Sequence, residues 1–125
     1  MSRQLFLLIA ALIPIVFGFV MMFFPDVMLS NSLTSEAALP TRSVTQWVGF
    51  AVFSIGLITF LSRNDVGSVA LKAVIIGNIV FHLLGLGFDI YHYMVGVMTL
   101  SGLVTGLIPH SLLTIGLIYY FIRLK

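Results

Sequence analysis

The sequence predicts an all-α fold: an integral membrane four-helix antiparallel transmembrane bundle, with residues 1–125 as a single transmembrane domain. Three observations predict it. Of the 125 residues, 60% are hydrophobic and only 8% charged, whereas a soluble domain carries about 25% charged residues. Mean hydropathy is +1.18. Four apolar runs of spanning length follow one another, and at about 20 residues per span they leave no room for a separate soluble domain.

The first run, residues 5–24 (LFLLIAALIPIVFGFVMMFF), is uncharged and is closed by Pro25 and Asp26. A signal peptide has an apolar region of about 7 to 15 residues and a small-residue cleavage site. This run is longer and PDVMLSNS offers no such site, so it reads as a span. The segment to Ser43 is long for a helix–helix loop and is expected to fold back over the bundle. The second span is expected at 44–61. The short turn SRNDVGS then makes the second and third spans antiparallel neighbours. The third is expected at 69–90 and the fourth at 103–122. Residues 91–102 are too apolar for an ordinary loop, and their path stays open.

Orientation follows from basic residues. Arg3, Arg63, Lys72, Arg123 and Lys125 fall on one side and Arg42 alone on the other, which predicts cytoplasmic N- and C-termini in a plasma (inner) membrane. Trp47, Tyr91 and Tyr93 are placed at the outer boundary, Tyr119 and Tyr120 at the inner one.

Composition also excludes. With no cysteine there is no disulfide, thiol chemistry or thiolate metal site. The formal net charge of +2 comes from six scattered basic residues, so there is no nucleic-acid stripe. No serine lies in a nucleophile motif, and no filter-like loop suggests a selective channel.

The polar residues gather in the outer half. Taking Asn78 as zero and about 100° per residue, His82 falls near 40°, Gly85 near 340°, Asp89 near 20° and His92 near 320°. Such a stripe faces a bundle interior or a water-filled cavity, because a charge facing lipid costs about 2.5 to 3.5 kcal/mol or more. Gly85 leaves a gap between His82 and Asp89 for a ligand, a water or a neighbouring backbone. Arg42 and Gln46 open the second span, and His110 follows Pro109 in the fourth. Asp89 is the expected carboxylate partner of Arg42, with Asp26 and Glu36 as alternatives. Pro14 and Pro109 deprive the Ala10 and Thr105 carbonyls of helical donors. Gly49 with Gly56, and Gly102 with Gly106, read as close-packing faces within the bundle or in a dimer. The methionines and phenylalanines read as lipid-facing or filler.

A first span ending in Pro25, Arg42 opening a second span with Gly49 and Gly56, a third span ending in Asp89, and His110 near the start of the last resemble the DoxX-like small four-helix membrane proteins. The resemblance implies the same four-helix fold, and a link to quinone-dependent oxidases or a role as a small accessory subunit. It transfers no catalytic motif.

The function expected is binding of an amphipathic ligand, a quinone or other lipid, in a polar pocket opening to the outer leaflet and lined by Arg42, Gln46, Asn78, His82, Asp89, His92 and His110. One alternative is an accessory subunit of a larger membrane complex or a homo-oligomer, without chemistry of its own. The other is a proton-coupled carrier or membrane enzyme with a His82–Asp89 relay. Membrane lipid is the expected partner; no dedicated metal site is expected, and haem held by His82 and His110 is the remaining cofactor alternative.

Overall fold

The computed structural model describes residues 1–35 and 39–124. Five helices follow in order: α1 (Arg3–Phe23), α2 (Pro25–Ser32), α3 (Leu39–Ser62), α4 (Val69–Met94) and α5 (Leu100–Ile122). Four of them are long and apolar enough to cross a membrane: Arg3–Phe23, Thr41–Ser62, Val69–Met94 and Leu100–Ile122. Large apolar side chains on all four, such as Phe19, Phe50, Leu84 and Ile115, are exposed.

The helix ends have local causes. Ser2 caps α1, its hydroxyl accepting from the Leu5 N–H at 3.2 Å. Pro25 stops α1 because proline has no N–H to continue the ladder, and the same residue starts α2, where its fixed φ suits the first helical turn and Asp26 meets the positive end of the dipole. Ser68 caps α4 by accepting from Leu71 N–H at 3.0 Å. The Ser68 hydroxyl also donates to the Asp65 carboxylate, and Arg3 donates to the Asp65 carbonyl at 2.5 Å, which ties the start of α1 to the α3–α4 turn. These contacts, with the Val66 N–H donating to the same carboxylate, hold the Asp65 pKa below its ordinary 3.8.

Residues 25–32, expected within a long connection, form the helix α2, and residues 91–102, whose path the sequence leaves open, form further turns of α4 to Met94, a turn with Gly96 at φ +76°, and the start of α5 at Leu100. Thr99 caps α5 by accepting from Gly102 N–H at 3.0 Å. The same turn is strapped to the end of α2. Thr99 N–H donates to the Ser32 carbonyl at 2.9 Å, the Thr99 hydroxyl to the Asn31 carbonyl at 2.7 Å, and Thr34 N–H to the Val97 carbonyl at 3.1 Å. The chain after α1 therefore folds back over the bundle, as expected.

α1 packs most extensively on α3, and α4 on α5, while α3 meets its sequence neighbour α4 more lightly. Small residues explain the first pairing. A Cβ on Gly49 would fall 2.9 Å from the Gly18 carbonyl oxygen, and one on Gly56 2.8 Å from that of Ala11, so those glycines are spent on contacts inside the chain. The two pairs are closed together by an apolar core of Phe6, Leu7, Ala10, Leu71, Ile75, Leu113 and Leu117 at the end holding the chain termini. The candidate site lies at the other end.

Candidate functional site

α4 carries Asn78, His82, Gly85, Asp89 and His92 on one side because the four spacings between them are each 3 or 4 residues. α5 faces it with Gly106 and His110, one turn apart. Each helix supplies a glycine where the other inserts a polar side chain. A Cβ on Gly85 would fall 2.7 Å from Cε1 and Nε2 of His110, and one on Gly106 would collide with the Asp89 carboxylate. The gap foreseen at Gly85 is thus filled by the His110 imidazole, an occupant from the next helix that a single-helix projection does not reveal.

This fit builds a chain of three titratable groups. Nδ1 of His82 and Nδ1 of His110 are 2.8 Å apart, and His110 Nε2 lies 3.9 Å from Asp89 Oδ2. His82 is 3% exposed. Its Nε2 and Asp89 Oδ2 are buried and have no hydrogen-bond partner. Phe81 packs edge-on to both rings, with centroid distances of 5.2 Å to His82 and 6.0 Å to His110.

The contact constrains protonation. Two ring nitrogens at hydrogen-bonding distance share one proton, since two N–H groups pointing at each other repel and two lone pairs leave the bond unmade. If Nδ1 of His82 donates, its Nε2 is a bare acceptor and His110 can direct Nε2–H at Asp89. If Nδ1 of His110 donates, His82 presents Nε2–H instead. A proton delivered to His82 Nε2 would move the shared Nδ1 proton to His110, leaving that ring an imidazolium 3.9 Å from the Asp89 carboxylate, within ion-pair range but not hydrogen-bonded to it.

The chain borders a cavity of about 480 Å³, within the range of small-molecule sites. His82, Asp89, His92 and His110 line it, all from α4 and α5. The other walls come from α1, α2 and α3 and are largely apolar, with Phe17, Met21, Met28 and Val52, joined by Met98 from the strapped turn. Both prolines of the repeated Leu-Ile-Pro triplets, Pro14 and Pro109, also face it. Met21, Met28, Met98, Phe17, Phe81 and Phe88, read from the sequence as lipid-facing or filler, line the cavity; the missed signal is α2, whose Pro25–Asp26 start brings Met28, Leu29, Ser32 and Leu33 to it.

The seven candidate residues divide. Four line the cavity and three do not. Arg42 is not paired with Asp89: its Nε lies 2.6 Å from Asp26 Oδ1, with both side chains substantially exposed. The reason is that α2 carries Asp26 back beside the start of α3, closer to Arg42 than the end of α4. Glu36 lies outside the described residues. Gln46 donates to the Met22 carbonyl at 2.9 Å, serving the last turn of α1. Asn78 is buried one turn from His82 and donates to Thr59 Oγ1 at 3.0 Å and to the Val74 carbonyl at 2.8 Å, a link between α3 and α4. His92 lies at the end of the stripe, its ring stacked on Phe88 at 6.1 Å between centroids.

Among the described residues no group of three or more His, Asp or Glu side chains could hold a metal ion. The two Nδ1 atoms are engaged with each other at hydrogen-bonding distance, so a cofactor metal held by this pair would be held through the Nε2 atoms. No family model, curated protein or solved structure matches this chain.

Proposed function

We propose that this chain is a small integral membrane protein that binds an amphipathic ligand, a quinone or other lipid, in the cavity beside His82, His110 and Asp89. The four long helices cross the plasma (inner) membrane as an antiparallel bundle with both termini cytoplasmic, and the cavity opens to the outer leaflet. The predominance of Lys and Arg on the termini side supports that orientation, and the resemblance to DoxX-like proteins belongs to the same reading.

The observation that carries it is a cavity of about 480 Å³ with largely apolar walls from three helices and a polar wall that includes His82, whose Nε2 is buried and unpartnered. An amphiphile satisfies both: its tail replaces water against Phe and Met, and its head group bonds to the orphaned nitrogen. Native mass spectrometry of protein extracted gently from membranes tests it. A specific lipid-sized adduct is expected on the wild type and is absent from folded His82→Ala. Identical adducts on both proteins contradict the reading.

A second reading, a proton-coupled carrier, is favoured by one observation, the His82–His110–Asp89 chain. It predicts pH-dependent flux into liposomes that His82→Phe abolishes. The accessory-subunit alternative loses the support first given by its glycine faces, since Gly49 and Gly56 pack on α1, Gly102 on Ser32 and Met98, and Gly106 on Asp89.

A further inference from the structure

We propose that the head group taken by this cavity is uncharged, a carbonyl or hydroxyl bonded to Nε2 of His82, and that the site discriminates against carboxylate- and phosphate-headed lipids. The inference rests on the binding reading above and specifies its ligand class.

The charge inventory of the walls carries it. Among the described residues no Lys or Arg lines the cavity, and the titratable groups that do are His82, Asp89 and His92 on α4 and His110 on α5, with none from α1, α2 or α3. Arg42, the basic residue nearest that end in the sequence, is engaged by Asp26 and takes no part in the lining. An anionic head group buried without a cation loses its hydration and gains nothing comparable in return.

The histidines do not supply that cation. Because His82 and His110 share one proton between their Nδ1 atoms, the pair carries at most one imidazolium while Asp89 is ionised, and the Asp89 carboxylate beside His110 balances it. The three-residue cluster then has a net charge of zero or minus one. His92 stands at the far end of the stripe, ten residues from His82, so its charge is not at the atom that receives the head group. Asp89 Oδ2, itself unpartnered, adds repulsion to any second carboxylate or phosphate.

The same cluster suits a neutral oxygen of either kind. When His110 donates through Nδ1, His82 presents Nε2–H to a carbonyl. When His82 donates through Nδ1, its bare Nε2 accepts from a hydroxyl. Passing from the second state to the first takes one proton from outside at His82 Nε2 while the shared Nδ1 proton moves to His110, which leaves the pair with one imidazolium beside Asp89.

The test uses full-length protein, labelled with ¹⁵N in its three histidines, in nanodiscs of zwitterionic lipid. Two probes with tails of equal length are titrated: a decyl-benzoquinone and decanoate. The quinone is expected to bind at least about tenfold more tightly and to shift the His82 Nε2 resonance, assigned by its loss in His82→Phe. In Thr45→Lys, which adds a cation to the α3 wall, decanoate binding should rise toward or above that of the quinone. Wild-type binding of decanoate as tight as the quinone overturns the inference while leaving a ligand site standing. Quinone binding without a His82 shift overturns the placement of the head group. Failure of both probes to bind folded protein removes the binding reading itself.

Discussion

Nδ1 of His82 and Nδ1 of His110 lie 2.8 Å apart, so two imidazoles on different helices hold one proton between them. The contact exists because α4 has glycine at position 85, opposite the His110 ring, and α5 has glycine at 106, opposite Asp89. The arrangement of the ionisable groups therefore depends on these two backbone notches.

Gly85→Ala places a methyl group within 2.7 Å of the His110 ring. The ring must move away, separating it from His82. Overpacking of this kind costs about 1–3 kcal/mol, so Gly85→Ala is expected to fold with a lowered melting temperature and to lose the histidine–histidine contact. Gly87→Ala, where a Cβ meets nothing within 4 Å, should leave both unchanged. Thermal unfolding in detergent with fluorescence detection checks the pair.

The ion pair of Arg42 with Asp26 is exposed, and such pairs contribute about 0.2–1 kcal/mol. A double-mutant cycle of Arg42→Ala and Asp26→Ala should report a coupling in that range. The cycle of Arg42→Ala with Asp89→Asn should report none. A coupling of about 3 kcal/mol or more between Arg42 and Asp89, as for a buried pair, would restore the pairing first expected from the sequence.

α2 is strapped over the cavity through Thr99, which caps α5 and donates to the Asn31 carbonyl. Thr99→Val removes both interactions and keeps the shape. Loss of the cap alone costs about 0.5–2 kcal/mol, and amide hydrogen exchange at residues of α2 should accelerate more than exchange in α1. Equal acceleration throughout the chain would show that the strap has no local role.

Asp65 lies in the α3–α4 turn, its pKa held below 3.8 first by the Ser68 hydroxyl and then by the Val66 N–H. A lowered carboxylate pKa contributes stability that is present above the unfolded value and is lost as pH falls through the folded value. Attachment of the turn to α1 is therefore expected to be unchanged from neutrality down to about pH 4 and to loosen only below it. Exchange rates of the Arg3 and Ser68 amides against pH measure this, and Asp65→Asn should remove the acid step.

Much of the architecture was legible in the residues because lipid-length apolar runs and a 3.6-residue polar period are properties of single segments. The stripe from Asn78 to His92 is of that kind. What joins segments was less legible. His110 entering the Gly85 notch depends on the rotation of α5 against α4. Arg42 choosing Asp26 over Asp89 depends on α2, whose first residue, Pro25, signals both the end of one helix and the start of the next. Asn78 lay on the correct stripe yet faces Thr59 rather than the cavity, since α3 covers the stripe at that depth.

The most direct measurement of the central claim is imidazole ¹⁵N NMR of the histidine-labelled protein in nanodiscs without added ligand. The shared-proton contact predicts that one of the Nδ1 atoms of His82 and His110 is protonated, that the other is an acceptor, and that a hydrogen-bond coupling connects them and disappears in Gly85→Ala. Two uncoupled rings, each protonated only at Nε2 and unaffected by that substitution, would contradict it.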